Sequence, residues 1–129
     1  MRFWIVFAAF NGFVAVLMGA LGAHALGKHL PPSGLEWLAT AERYQIAHAL
    51  ALGLVASLAV RAPAGVSGRW LNVAGICFSA GMVLFSGSLY ALALSGWRPV
   101  AMLAPAGGLA LMAGWLALGC YGMTLRRAN

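Results

Sequence analysis

The charged residues divide the sequence into segments and leave four long runs without any formal charge. The runs are Phe3–Gly27, Tyr44–Val60, Trp70–Trp97 and Pro99–Leu125, which contain 25, 17, 28 and 27 residues. A helix of roughly 20 apolar residues crosses a bilayer core about 30 Å thick. A chain inside hydrocarbon must satisfy its own backbone hydrogen bonds, and the runs lack the alternation of a strand. The sequence therefore predicts four transmembrane helices.

The composition excludes a water-soluble domain. Hydrophobic residues make up 63% of the 129 residues and charged residues 8%, whereas a soluble domain averages about 45–50% and about 25%. A small domain has too large a surface to bury that much apolar area. The net charge of +6 does not indicate nucleic-acid binding, because the cations are scattered between the runs instead of forming a patch.

A single transmembrane domain is predicted over residues 1–129, with helices at about 3–26, 41–60, 70–94 and 99–123. The first run is too long for a signal-peptide core and is predicted to remain as a helix. Turn-forming residues in the segment Arg61–Arg69 predict the second connection, and Ser95–Pro99 predicts a tight hairpin before the last helix.

The longest connection, Leu26–Arg43, is predicted to contain a short interfacial helix. The pair Pro31–Pro32 ends the first helix. Ser33 and Glu36 then have the spacing of a capping box, in which the two side chains cap each other's backbone N–H groups. Two forms remain open for Leu35–Arg43: a separate helix at the membrane surface, or a straight extension of the second crossing helix.

The positions of the cations predict the orientation, because cytoplasmic loops carry an excess of Lys and Arg. One side of the predicted bundle carries Arg2, Arg61, Arg69, Arg126 and Arg127, and the other carries Lys28, Arg43 and Arg98. This difference of five to three predicts that both termini lie in the cytoplasm.

Small residues at four-residue spacing predict where the helices touch, because helices in lipid associate by close packing. The stripes are Ala15, Gly19 and Ala23; Ala49, Gly53 and Ser57; Gly75 and Ser79, then Gly87, Ala91 and Ser95; and Ala106, Ala110 and Gly114. The pattern does not separate contacts within one chain from contacts between chains. Besides membrane lipids, a second copy or a partner membrane protein therefore remains open.

Polar residues are predicted to converge near the outer ends of the helices. Inside a membrane such groups need partners or a function. The set comprises His24, Tyr44, Gln45, His48, Ser86, Ser88 and Tyr90. Two interpretations are open: a hydrogen-bonded clasp between helices, or a small outward-facing site for a lipid headgroup, a solute or a metal. Asn11, near the middle of the first helix, is predicted to bond to a neighbouring helix.

Neither a cofactor nor a catalytic centre is predicted. His24 and His48, with Glu36 or Glu42, are the candidate metal ligands, but they lack the spacing of a metal motif, so no metal is predicted. Haem held by two histidines is disfavoured because His24 and His48 are expected near one edge of the membrane. The sequence contains no recognisable nucleophile–base pair, phosphate loop or pair of carboxylates, and an enzyme is not expected.

A series of short motifs makes the chain resemble a known family. In order, they are Gly19–Leu26, Trp37, Thr40–Ala41, Tyr44–Gln45, His48–Leu50, Phe85–Tyr90, Pro105, Gly107–Gly108 and Gly114–Trp115. This pattern resembles the family catalogued as domain of unknown function 423, and the likeness covers nearly the whole chain. The resemblance implies a small four-helix protein of the bacterial inner membrane, and it implies no activity.

These observations predict a multi-pass inner-membrane protein without enzymatic activity, acting as an accessory, scaffold or homo-oligomeric protein. The alternative is a protein that binds or transports a small ligand, a lipid or a metal through the outer polar residues. No nucleic-acid partner is expected.

Overall fold

A computed structural model describes residues 2–62 and 65–125, and all the regular elements in these ranges are helical. The elements are α1 (Arg2–His24), α2 (Pro32–Arg61), α3 (Val66–Gly81), a π-helical segment (Met82–Ser86), α4 (Gly87–Ser95) and α5 (Leu103–Leu125), with 3₁₀ turns at Leu26–Lys28 and Arg98–Met102. Within these ranges four helical segments are long and apolar enough to cross a membrane: Arg2–His24, Pro32–Arg61, Gly68–Ser95 and Arg98–Leu125. The predicted all-α transmembrane bundle is confirmed.

The prediction of a separate interfacial helix is not confirmed, and the alternative, an extension of the second crossing helix, is observed. Helix α2 runs for 30 residues without a break from Pro32. Pro32 occupies the first turn, where its fixed φ suits a helix and its missing N–H is not needed. Since no side chain caps this end, the predicted capping box of Ser33 and Glu36 is wrong. Nothing between Glu36 and Arg61 interrupts the helix.

The crossing segments alternate in direction. At one end of the bundle, the ring of Trp4 in α1 packs against Gly75 of α3. At the same end, Trp70 of α3 lies beside Cys120 and Met123 of α5. Residues Arg2 and Leu125 therefore lie at the same end. The predicted turn at residues 61–69 includes Pro63, which lies outside the described residues, as do Arg126 and Arg127 of the cation count.

The main apolar core lies between α2, α3 and α5. Its largest fully buried side chains include Leu52 and Val55 of α2 and Leu71 and Phe78 of α3. Helix α1 is peripheral, since its buried residues are Asn11 and Ala15 and its large side chains, apart from Trp4 and Phe7, mostly face outwards. Because lipid covers these outer faces, their exposure costs no hydrophobic free energy.

Glycines allow close contact at several points of the predicted stripes. The Glu42 side chain lies against Gly19, where an added Cβ would be 3.3 Å from the carboxylate. The Phe78 ring lies against Gly114, where a Cβ would be 2.6 Å from the ring. By contrast, Gly53 and Gly87 face open space. The stripes therefore predict some contact faces correctly, but not all.

Gly107 is the described glycine whose added Cβ would lie nearest to the backbone of another segment, here the π-helical segment. A Cβ on Gly107 would contact the backbone nitrogen of Phe85 and would lie 2.8 Å from the Leu84 carbonyl carbon. In the same segment, the N–H of Gly87 bonds to the carbonyl of Met82, five residues back. Such π turns often occur at functional positions. This one lies where the third crossing segment meets both α2 and α5.

Candidate functional site: an interhelical polar cluster

Six side chains on different helices form hydrogen bonds that link the crossing segments. We call them the interhelical polar cluster, and they are Asn11, Gln45, His48, Ser86, Tyr90 and Trp115. Four of the six, from α1, α2 and the π-helical segment, are more than nine-tenths buried: Asn11, Gln45, His48 and Ser86. Buried polar groups of this kind are costly unless they are paired.

The first part of the cluster is a chain of amide and hydroxyl groups. Gln45 Nε2 donates to Asn11 Oδ1 at 2.9 Å, and Tyr90 OH donates to Gln45 Oε1 at 2.7 Å. Asn11 Nδ2 in turn donates to the Phe7 carbonyl of its own helix at 2.9 Å. The Gln45 amide therefore joins α1 and α4 through α2. The prediction that Asn11 bonds to a neighbouring helix is confirmed.

The second part of the cluster is centred on the imidazole of His48. Trp115 Nε1 donates to His48 Nε2 at 3.0 Å, and His48 Nδ1 lies 2.7 Å from the Tyr44 carbonyl oxygen. An indole is only a donor and a carbonyl only an acceptor. This geometry therefore requires a neutral imidazole with its proton on Nδ1. Both ring nitrogens are engaged, which leaves no nitrogen lone pair for a metal ion.

Aromatic rings surround the same imidazole. The ring centroids of Phe78 and Trp115 lie 5.7 and 5.9 Å from that of His48, and these two rings meet edge to face at 5.2 Å. The Tyr44 ring stacks on the imidazole with its centroid 6.0 Å away. Aromatic pairs at these separations stabilise beyond their buried area, so the imidazole is held by packing as well as by hydrogen bonds.

The two predicted serines have different roles. Ser86 Oγ donates to the Ala41 carbonyl of α2 at 2.8 Å. This bond joins the π-helical segment to α2. Ser88 Oγ donates to the Phe85 carbonyl at 2.9 Å, within the same helical rod. Only Ser86 therefore contributes to the link between helices.

The structure does not bring all the predicted residues together. His24 is exposed at the end of α1. The Tyr44 side chain is 44% exposed, and its contacts with the cluster are its ring and its backbone carbonyl. Among the predicted residues, Gln45 and Tyr90 bond to each other across helices, whereas His48 and Ser86 bond to groups outside the predicted set.

The cluster also lies deeper than predicted. Asn11 and Trp115 are both close to the middle of helices of 23 residues, roughly 14–20 Å from the helix ends at 1.5 Å per residue. Trp115 is not among the site residues predicted from the sequence. Its position in the sequence is a signal for a buried hydrogen bond. Tryptophans in membrane proteins favour the interface, so an indole N–H in the middle of a crossing helix needs an acceptor.

In residues 2–62 and 65–125, no group of three or more His, Cys, Asp or Glu side chains could hold a metal ion. In the same ranges, the only buried side-chain polar atom without a partner is Ser79 Oγ. The cluster is therefore internally satisfied.

Comparisons with known proteins agree with the resemblance found in the sequence. The family described as "Protein of unknown function (DUF423)" matches residues 18–108. The chain is 39% identical over 127 residues to the "UPF0382 inner membrane protein YgdD" of Escherichia coli K12, covering 98% of this chain and 93% of the relative. It is 37% identical over 116 residues to the "UPF0382 membrane protein YwdK" of Bacillus subtilis, covering 90% and 92%. No solved structure matches the chain.

Proposed function

From the premise that the chain belongs to the DUF423 family of membrane proteins, we propose that it is a non-enzymatic accessory or scaffold protein of the inner membrane. In this proposal the interhelical polar cluster is a clasp that keeps the bundle in one arrangement. The outer helix faces then hold a second copy or a partner membrane protein.

One observation carries this proposal: the polar groups of the cluster bond to one another or to backbone carbonyls. The Gln45 amide has a partner on each of two other helices, and the His48 ring has a partner at each nitrogen. A catalytic or transport site needs polar groups that can exchange their partners for a substrate. A satisfied network instead rigidifies and specifies a packed arrangement.

The alternative function, binding or transport through outer polar residues, has weaker support. It requires polar side chains that are free to bind a ligand, but His48 is engaged by Trp115, and His24 is exposed at the end of α1 and outside the cluster. A lipid headgroup or a solute would have to displace the indole from the imidazole. The clasp needs no such displacement.

Site-specific photo-crosslinking tests the scaffold proposal. A photoreactive side chain is placed in cells at Phe13, Leu50 or Leu116, which are 66%, 71% and 72% exposed on three helices. We expect a protein adduct, to a second copy or to one partner, from one helix face and not from all three. The matched control is the same group at Phe78, which is 0% exposed and should yield no intermolecular adduct. Adducts to lipid alone at all three exposed positions would contradict the proposal.

We also propose that both termini lie in the cytoplasm. The cations Arg2, Arg61 and Arg69 lie at the end of the bundle that holds Leu125, whereas Lys28 and Arg98 lie at the opposite end and Arg43 is nearer to that opposite end. The excess of five cations to three in the sequence, which depends on Arg126 and Arg127 directly after Leu125, supports this orientation.

Cysteine labelling tests this orientation in a background with Cys77→Ala and Cys120→Ala. We expect His29→Cys to react with a membrane-impermeant maleimide on intact spheroplasts, because His29 is exposed at the opposite end. Ala62→Cys, at the end of α2, should react only after permeabilisation. The reverse pattern would overturn the orientation without affecting the clasp.

A further inference from the structure

An open groove lies between α1 and α2, separate from the interhelical polar cluster. Its volume is about 540 Å³. The residues that line it are Ile5, Ala8, Ala9, Gly12, Ile46, Ala49, Leu50, Gly53 and Ser57. The lining is apolar apart from Ser57, whose hydroxyl donates to the carbonyl of Gly53. The groove therefore suits a hydrocarbon occupant.

Each of the two helices that line the groove, α1 and α2, carries an arginine near the same end of the groove. Arg2 precedes Ile5 by three residues on α1, and Arg61 follows Ser57 by four residues on α2. Residues three or four apart lie on the same helix face. The two helices are antiparallel, so both arginines lie at one mouth of the groove, and both are exposed. The groove is thus apolar along its length and cationic at one end.

The dimensions fit one membrane leaflet. The part of α2 that lines the groove, from Ile46 to Ser57, is about 16 Å long at 1.5 Å per residue. This length is close to half the thickness of a bilayer core, about 15 Å. An acyl chain is much thinner than a helix, and the phosphate of its lipid would lie at the level of the arginines.

We propose that this groove is a binding site for one anionic phospholipid, with an acyl chain between α1 and α2 and the phosphate paired with Arg2 and Arg61. Guanidinium groups suit phosphate because they donate two parallel hydrogen bonds. The proposal does not depend on the scaffold function, since its residues are not those of the interhelical polar cluster.

Native mass spectrometry of the purified full-length chain tests the site, with either phosphatidylglycerol or phosphatidylcholine added. We expect one phosphatidylglycerol molecule to be retained at least fivefold more often than phosphatidylcholine. The double variant Arg2→Gln and Arg61→Gln should reduce that ratio to about one. Arg98→Gln, at the opposite end, is the charge control and should retain the ratio.

A second pair of variants separates the groove from surface attraction. Gly53→Leu should abolish retention of both lipids, because a Cβ there meets open space in the groove and the larger side chain fills it. Gly119→Leu is the matched control, since Gly119 also has open space but lies on α5 away from the groove. If Gly53→Leu fails to fold, Gly12→Leu fills the groove from the opposite wall.

Several results would overturn the proposal. Equal retention of the two lipids by the unmodified chain would refute the role of the arginines. Unchanged retention in a folded groove-filling variant would refute the location. A disulfide between two copies that carry Gly53→Cys would identify a second chain as the occupant.

Discussion

Replacing Gly107 with Ala is expected to destabilise the bundle by about 1–3 kcal/mol, the usual cost of forcing extra atoms into a packed interior. The added methyl group would meet the backbone of Leu84 and Phe85 in the π-helical segment. Backbone atoms cannot rotate aside as a flexible side chain can, so α5 and the third crossing segment must separate. We expect the loss in unfolding titrations with sodium dodecyl sulfate, followed by circular dichroism.

The neighbouring residue is the control for this prediction. A Cβ on Gly108 would lie 3.8 Å from the Phe85 ring, an ordinary contact. Alanine is the better helix former by about 1 kcal/mol, so Gly108→Ala should leave the stability unchanged or raise it. Equal effects of the two substitutions would show that backbone contact at Gly107 does not limit helix packing.

Replacing His48 with Ala is expected to cost about 2–4 kcal/mol, within the range for large-to-small substitutions in a core. The substitution removes the ring that packs against Phe78 and Trp115, and it removes the acceptor of the Trp115 N–H. His48→Phe keeps a ring but not the acceptor, so it should cost less, about 1–2 kcal/mol by comparison with hydrogen bonds between model membrane helices. The same unfolding titration measures both variants.

His24→Ala is the control for the histidine prediction. His24 is exposed and lies outside the cluster, so its replacement should change the stability by less than about 0.5 kcal/mol. If His48→Ala were as stable as the unmodified chain, the clasp would be the wrong interpretation, and a role of His48 in binding would become the better one.

The crossing segments could be predicted from the sequence because formal charge is costly in hydrocarbon. Charged residues therefore mark the ends of each uncharged run. The start of α2 could not be predicted in the same way. The segment from Pro32 to Arg43 contains residues that suit either a separate surface helix or an extension of the second crossing helix. The structure shows the extension, because α2 runs without a break from Pro32.

The contents of the cluster were predicted only in part, for a physical reason. In a membrane helix the buried and lipid-facing sides are both apolar, so periodicity does not show which side faces the core. Tyr44 and His48 lie on one helix face, yet one side chain is half exposed and the other is buried. The link from His48 to Trp115 spans 67 residues, and spacing in the sequence cannot show such a pairing.

The pairing of distant residues has a consequence for the order of events during synthesis. Asn11 precedes Gln45 by 34 residues, which at about 5–20 residues per second is a delay of roughly 2–7 s. During that time its amide has the Phe7 carbonyl of its own helix as a partner. His48 precedes Trp115 by 67 residues, and its imidazole lacks the indole for roughly 3–13 s. Helix α5, which leaves the ribosome after the other described helices, therefore supplies the indole that completes this part of the interior.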